Sequence, residues 1–145
     1  MSHASSTPSG RPLIRGLAHV CYTVADLDRS VRFYTEALGL TPAFEYYRPT
    51  GEKYGQYIHV GGRSFIELFV GNLAERAEGQ PYRHLCLEVE DMDATVATLR
   101  ERGVEVTNVK TGNDHSLQGW ITDPDGNRIE LHCYTPESKQ NGWLA

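Results

Sequence analysis

The chain has 145 residues, which suits one compact domain or two small modules that share a core. A formal net charge of −5 disfavours binding to nucleic acid or to anionic membranes, and we expect neither as a partner. No apolar run reaches the roughly 18 residues that a membrane-spanning helix needs.

The first twelve residues and the cysteines bear on location. Residues 1–12 are rich in Ser, Pro and Gly and lack an apolar segment, which predicts a disordered tail and not a signal peptide. The three cysteines lie in strand patterns and their number is odd, so no disulfide framework is expected and a cytoplasmic location is predicted. We expect Cys21 and Cys86 to be small buried apolar groups beside the histidines.

Residues 13–70 predict a strand, a helix and three further strands. A strand over 16–24 leads to a helix that Asp26 caps and Gly39 ends. The apolar stripe of this helix consists of Leu27, Val31, Tyr34 and Leu38. Further strands are predicted near 43–48, 54–60 and 64–70. Gly61-Gly62 predicts a tight hairpin between the last two.

A polar linker over residues 71–81 leads to a second copy of this pattern over residues 82–135. A strand over 85–89 precedes a helix that Asp91 caps. The apolar stripe of this helix consists of Met92, Val96 and Leu99. Further strands are predicted near 105–108, 117–122 and 128–133. Asp123-Pro-Asp-Gly-Asn127 predicts a turn, and residues 136–145 a C-terminal tail. The predicted fold is α+β, with two βαβββ modules forming a curved, cup-shaped mixed sheet and the helices outside.

The two copies also align residue by residue. His19-Val-Cys-Tyr aligns without a gap on His84-Leu-Cys-Leu, and Phe65-Ile-Glu-Leu-Phe69 aligns on Arg128-Ile-Glu-Leu-His132. Each copy therefore opens with a His and closes with a Glu. Two imidazoles and two carboxylates together form a metal-ligand set, namely His19, Glu67, His84 and Glu130.

The surroundings of Glu67 favour a bound cation. Strand alternation places Glu67 on the same face as Phe65 and Phe69. A solvent-facing Glu67 would expose both phenylalanines, whereas a buried unpaired carboxylate is costlier still, so a cation resolves the conflict. The alternative is a metal-free pocket, with ordinary strand histidines and solvated glutamates.

These residues resemble the vicinal oxygen chelate superfamily, which includes glyoxalase I, bleomycin-resistance and fosfomycin-resistance proteins, methylmalonyl-CoA epimerases and extradiol dioxygenases. The resemblance covers residues 16–134. It rests on the His of each repeat, the segment Asp26–Gly39, the Ile-Glu-Leu pair and the Asp-Pro-Asp-Gly-Asn turn. It implies paired βαβββ modules that form a cup around a divalent metal.

The ligand set is similar to that of bacterial glyoxalase I. That resemblance implies a metal-dependent lyase or isomerase that moves a proton next to a carbonyl. Four protein ligands on an octahedral ion leave two adjacent positions for two neighbouring substrate oxygens, and Ni, Zn, Co, Mn and Fe all suit such a site. The resemblance implies Glu130 as the base, and Glu67 can serve on the opposite face.

Two departures concern the substrate. Glutathione-dependent members commonly have an Arg where this chain has Thr23 and an Asn where it has Gly71. Both departures disfavour glutathione, and the sequence leaves open whether the substrate is a glutathione adduct or a different small α-oxygenated carbonyl compound. The candidate substrate-binding residues are Arg48, Tyr46, Tyr54, Tyr57, Phe69, His115, Trp120 and His132.

Two other functions stay open at this stage: a non-catalytic small-molecule (antibiotic) binding or resistance protein, and an Fe-dependent extradiol-type dioxygenase. The expected partners are a small-molecule substrate and a second copy of the chain in a homodimer. The sequence leaves open whether one chain or two supply the ligands of one site.

Overall fold

The computed structural model describes residues 13–144, so the predicted tail over residues 1–12 lies outside the described residues. The first half contains four strands and one helix, and a five-residue π-helix (Phe33–Ala37) extends that helix. The elements in order are β1 (His19–Val24), α1 (Leu27–Arg32), β2 (Thr41–Tyr47), β3 (Lys53–Gly61) and β4 (Ser64–Val70).

The second half repeats this order and ends in a short 3₁₀ turn (Asn141–Trp143). Its elements are β5 (Leu85–Glu88), α2 (Met92–Glu101), β6 (Lys110–Thr111), β7 (Leu117–Thr122) and β8 (Arg128–Cys133). The predicted α+β fold of two βαβββ modules is confirmed.

The strands form two four-stranded mixed sheets, ordered β1-β4-β3-β2 and β5-β8-β7-β6. In each sheet the first and last strands of the module pair in parallel and the other neighbours pair antiparallel. The predicted curved sheet thus takes the form of two sheets, because β1 and β5 are edge strands that do not pair with each other within residues 13–144.

Both helices begin and pack as predicted. The Asp26 side chain accepts from the backbone N–H of Arg29, and Asp91 accepts from that of Ala94, each at 3.0 Å. The residues of the stripes that are buried in the core are Leu27, Tyr34, Met92, Val96 and Leu99. Val31 and Leu38 are half-buried and pack against them.

The predicted strand over 105–108 is wrong. That segment forms hydrogen bonds with β7 at one residue: Thr107 donates its N–H to the Trp120 carbonyl at 3.1 Å, and its hydroxyl accepts from the Trp120 N–H at 3.0 Å. Val104 and Val106 pack against the core. Their alternation therefore reflects packing and not a ladder, and pairing with β7 resumes at Lys110.

A buried hydrogen bond joins the two modules. The Tyr34 hydroxyl in the first module donates to Asp123 Oδ2 in the β7–β8 turn at 2.8 Å, and both residues are buried. Beside it, the Arg29 guanidinium lies 3.0 Å from Asp125 Oδ1. Because both modules contribute side chains to this contact and to one core, each fixes the position of the other.

The C-terminal segment is held against the β6–β7 turn. The Ser138 hydroxyl lies 2.6 Å from that of Ser116, and the Lys139 N–H donates to the Asp114 carbonyl at 2.9 Å. The Gln140 amide donates to Asp114 Oδ2 at 2.6 Å. This part of the predicted tail therefore helps to position Asp114.

The segment between β4 and β5, residues 71–84, has no helix or strand but contacts both modules. Arg76 donates to Asn127 Oδ1 at 2.6 Å, and the hydroxyls of Tyr82 and Tyr22 lie 2.6 Å apart.

Among residues 13–144, no helix combines the length and the apolarity that crossing a membrane requires.

Replacing Tyr34 by Phe should destabilise the protein by about 1 to 3 kcal/mol, because a buried hydrogen bond to a carboxylate is lost while the ring is kept. Urea unfolding of the variant and the wild type measures this difference. Tyr47→Phe is the control, since Tyr47 is exposed, and it should change stability by less than about 0.5 kcal/mol. Equal stability of Tyr34→Phe and wild type would show that this bond does not couple the modules.

Candidate functional site

The predicted ligands lie on the sheet faces that point away from the core. On β1, Tyr22 and Val24 are buried, whereas His19, Cys21 and Thr23 are exposed. Cys86 on β5 is exposed as well, so the expectation that both cysteines are buried apolar groups is wrong. The cause is strand alternation, which places each cysteine on the same face as the histidine two residues before it.

In the first module, His19 and Glu67 lie side by side. His19 Nε2 is 3.6 Å from Glu67 Oε1, and His19 Nδ1 is 2.9 Å from the Tyr57 hydroxyl. The Tyr46 hydroxyl donates to Glu67 Oε2 at 3.2 Å. Loss of solvent contact and the Glu67 charge raise the pKa of Tyr46, so its hydroxyl keeps the proton that it donates.

In the second module, the equivalent pair is arranged differently. The His84 ring lies edge-on to Trp120, with centroids 4.7 Å apart. Among the described residues, His84 makes no ion pair with Glu130 within 4.0 Å. Instead, Glu130 Oε2 accepts from Cys86 Sγ at 2.8 Å and lies 3.2 Å from His132 Nδ1.

The four predicted ligands therefore lie in two separate places, with His19 and Glu67 in the first module and His84 and Glu130 in the second. Within residues 13–144, the one group of three or more possible ligands with donor atoms inside 4.8 Å is Cys86, Glu130 and His132. The donor chemistry of His19 and Glu67, an imidazole nitrogen and a carboxylate oxygen 3.6 Å apart, fits a divalent ion. The assignment of all four residues as ligands stays a prediction.

A cavity of about 550 Å³ opens beside Glu130 and His132. Asp114 lines it, and its Oδ2 lies 3.4 Å from His132 Nε2. The Gln140 amide and the Ser116 N–H hold this carboxylate and lower the pKa of Asp114. Neither Asp114, in the β6–β7 turn, nor Gln140 is among the predicted site residues, because their contact forms only when the C-terminal segment docks on that turn.

Although Cys86 is exposed as a residue, protein atoms around its sulfur partly desolvate the thiol, and the Glu130 carboxylate lies beside it. Burial, and then the hydrogen bond to Glu130, raise the pKa of Cys86 well above its ordinary value. The same causes raise the pKa of Cys21 beside Glu67. Both thiols therefore keep their protons at neutral pH, and the Cys86 thiol donates to Glu130 Oε2.

An aromatic wall covers the exposed face of the first sheet. We define it as Phe44, Tyr46, Tyr54, Tyr57, Phe65 and Phe69. Phe44 stacks on Tyr57 with centroids 4.6 Å apart, and Tyr54 stacks on Phe69 at 5.9 Å. Simple alternation would place Tyr54 and Tyr57 on opposite faces, but a register shift at Tyr46/Tyr47 interrupts the ladder between β2 and β3. Three predicted substrate residues from β2 and β3 therefore lie in one surface.

The other candidate substrate residues lie outside this wall. The Arg48 guanidinium lies over the Tyr54 ring at 4.9 Å, and that of Arg128 lies over Trp120 at 4.2 Å. His115 is exposed in the β6–β7 turn with a left-handed φ of 68°. A role for these residues in substrate binding stays a prediction.

The two departures that concern glutathione are neighbours in space. A Cβ on Gly71 would lie 2.8 Å from the Thr23 methyl group. Gly71 therefore has to be small because Thr23 packs against it, and the pair presents a methyl group where an Arg and an Asn are expected in glutathione-dependent members.

Comparisons with known proteins agree with this architecture. The profile of the Glyoxalase/Bleomycin resistance protein/Dioxygenase superfamily matches residues 16–131. The chain is 33% identical over 124 residues to a "Probable lactoylglutathione lyase" of Vibrio cholerae, a match that covers 79% of this chain and 88% of the relative.

The solved structures that are similar to this chain include the following two. A glyoxalase family protein from Enterococcus faecalis has a TM-score of 0.69 and 25% identity, and the match covers 81% of this chain and 97% of that one. TnmS3, an antibiotic binding protein from Streptomyces sp. CB03234, has a TM-score of 0.67 and 26% identity, with 86% of this chain and 100% of that one covered.

Gly55→Ala should disrupt the aromatic wall, because a Cβ there would lie 2.8 Å from a Phe69 ring carbon and 3.0 Å from Tyr46. We expect a loss of about 1 to 3 kcal/mol of stability, typical of overpacking, and a changed near-ultraviolet circular dichroism signal. Gly61→Ala is the control, since a Cβ there meets nothing within 4 Å. If both variants match the wild type in stability and spectrum, the wall is not packed as described.

Proposed function

Because the chain belongs to the glyoxalase/bleomycin resistance protein/dioxygenase superfamily, we propose that it is a divalent-metal-dependent lyase or isomerase. Its reaction is proton transfer next to a carbonyl of a small substrate that binds through two oxygens. The observation that carries this proposal is the His19–Glu67 pair, 3.6 Å apart on adjacent parallel strands, whose residue types recur at His84 and Glu130.

His19, Glu67, His84 and Glu130 would hold the ion. Two neutral imidazoles and two carboxylates make the site formally neutral with a divalent ion, so that negative charge can develop on the substrate with electrostatic help. The bound ion, which is Ni, Zn, Co, Mn or Fe, would polarise two neighbouring oxygens and acidify the adjacent C–H. The Tyr57 hydroxyl orients the His19 ring, and the Tyr46 hydroxyl orients the Glu67 carboxylate.

Glu130 is the proposed base. Its carboxylate accepts from the Cys86 thiol and lies beside His132, so its orientation is fixed before substrate binds. It would take the substrate proton at a carboxylate oxygen and return it to the neighbouring carbon. Glu67, held by the Tyr46 hydroxyl, would do the same on the opposite face.

The aromatic wall suggests the substrate class. Its stacked rings favour an aromatic or apolar substituent on the α-oxygenated carbonyl compound, because such a group would pack against Tyr54, Tyr57 and Phe69. The Thr23–Gly71 contact offers no cation for the carboxylates of glutathione. We therefore place an aryl-substituted α-hydroxy ketone, which has two neighbouring oxygens and a C–H next to its carbonyl, before a glutathione adduct as the test substrate.

A homodimer is part of the proposal. The His19–Glu67 pair and Glu130 do not form one ligand group within residues 13–144, so a second chain would bring the two halves together. The segment before β1 carries three large apolar residues that are 79 to 81% exposed, namely Leu13, Ile14 and Leu17. A dimer would cover such residues. A cytoplasmic location fits the free thiols Cys21, Cys86 and Cys133.

A second candidate function is sequestration of a small molecule without catalysis. The aromatic wall favours it, since stacked rings bind planar compounds, and one similar structure is that of an antibiotic binding protein. This function needs no ion, so metal dependence separates it from the first.

Glu130→Gln should reduce proton transfer at least about 100-fold, because the amide cannot accept the substrate proton. The measurement is exchange of the C–H proton next to the carbonyl of an aryl α-hydroxy ketone in D₂O, followed by NMR, with bound metal quantified in the same samples. Glu105→Gln, in an exposed loop, is the charge-matched control. Normal exchange by metal-loaded Glu130→Gln would remove Glu130 as the base.

Removal of the metal with a chelator should abolish proton exchange, and readdition of one divalent ion per site should restore it. Binding of the same aryl compound is measured in parallel on the same preparations, with quenching of tyrosine fluorescence as the signal. A metal-free protein that still binds the aromatic compound tightly and never exchanges its proton would support sequestration instead.

Mixing inactive Glu67→Gln and Glu130→Gln chains should restore about a quarter of the wild-type activity per site. If each site takes one half from each chain, half of the dimers are mixed, and each mixed dimer has one intact site and one doubly altered site. The mixture is compared with each variant alone after equal unfolding and refolding. No recovery of activity would place all four ligands within one chain.

A further inference from the structure

The two modules differ at one position beside the conserved glutamate. In the first module the aligned residues are Cys21, Glu67 and Phe69, and in the second they are Cys86, Glu130 and His132. The pairing registers match, since Cys21 lies opposite Glu67 and Cys86 opposite Glu130. The second module therefore has a third donor group where the first has a phenyl ring.

These three donors converge inside one chain. Cys86 Sγ and His132 Nδ1 lie 2.8 and 3.2 Å from the same oxygen of Glu130, and all three donor atoms lie within 4.8 Å of one another. Sulfur, imidazole nitrogen and carboxylate oxygen are the three donors that Zn²⁺ takes in proteins, with three protein ligands leaving one open position. The cavity beside the cluster provides room for that position.

The surroundings of His132 match those of a metal-bound histidine. Such a histidine usually turns its second nitrogen toward a carboxylate, which fixes the ring. His132 Nε2 is buried and has no hydrogen bond among the described residues, and Asp114 Oδ2 lies 3.4 Å from it. Asp114 is in turn held by Gln140 at 2.6 Å. The carboxylate is therefore in place to accept from Nε2 when Nδ1 binds a cation.

We propose that Cys86, Glu130 and His132 form a second cation site, contained in one chain, for a soft divalent ion such as Zn²⁺. When the ion binds, a bond forms between the cation and Cys86 sulfur, and the thiol proton passes to solvent. The charge that remains on the sulfur then pairs with the cation, without any oxidation or reduction.

This site is distinct from the proposed catalytic centre but shares one residue with it. An ion held by Cys86 and His132 would withdraw Glu130 from the set of His19, Glu67 and His84. Zn²⁺ beyond the one ion per catalytic centre would thereby inhibit the proposed reaction, whereas a hard ion such as Mn²⁺ would not bind the thiolate. The site itself does not depend on whether the chain is an enzyme.

Cobalt(II) titration of the full chain tests the site, because cobalt bound to a thiolate gives a sulfur-to-metal charge-transfer band in the near-ultraviolet. We expect the band in the wild type, its displacement by Zn²⁺ and its absence in Cys86→Ser. His132→Phe, which installs the residue of the first module, should weaken cobalt binding at least about 10-fold. Cys21→Ser is the matched control and should keep the band.

His84→Gln separates this site from the proposed catalytic centre. The charge-transfer band should persist in that variant, even where proton exchange is lost. The proposal is overturned if the wild type shows no band, if Cys86→Ser keeps it, if His132→Phe binds cobalt as tightly as the wild type, or if His84→Gln abolishes it. A band without any proton exchange would overturn the proposed reaction and leave this site in place.

Discussion

The site depends on the parallel pairing of the first and last strands in each module. β1 pairs with β4 and β5 with β8 in the same register, so that each glutamate lies opposite a cysteine. The neighbours of Glu67 and Glu130 on the other face, Ile66, Leu68, Ile129 and Leu131, are all buried in the core. A slip by one residue would bury both carboxylates and expose these apolar side chains, so core packing fixes the position of the polar groups.

Although the strand pairing is the same in both modules, the side chains beside the two glutamates differ in character. The first sheet presents an aromatic wall beside Glu67, with Phe69 stacked on Tyr54. The second presents a polar cluster beside Glu130, in which His132 lies between that carboxylate and Asp114. The substrate that we propose, with one apolar end and two neighbouring oxygens, would pack its apolar end on the aromatic wall and keep its oxygens near the polar groups.

Much of the fold could be predicted because it follows from local rules. The Asp26 and Asp91 caps, the helix stripes and strands β7 and β8 are specified by neighbouring residues, and the repeat supplied the module order. The strand predicted over 105–108 is absent because Val104 and Val106 alternate so as to pack on the core, and the segment forms no strand ladder. The Cys86–Glu130 contact and the Asp114–His132 contact join residues distant in sequence, and Gln140 reaches Asp114 only because the C-terminal segment is docked. The hydrophobic periodicity of a sequence gives no information about contacts between residues that are distant in the chain.

We propose that His–Glu pairs repeated in the two modules hold one catalytic ion. Anomalous diffraction from crystals loaded with Mn²⁺ or Ni²⁺ tests this proposal, because the peak locates the ion independently of activity. We expect a peak with His19 and Glu67 of one module and His84 and Glu130 of another as ligands, at about 2.0 to 2.3 Å. A peak that His19 and Glu67 do not contact would contradict it.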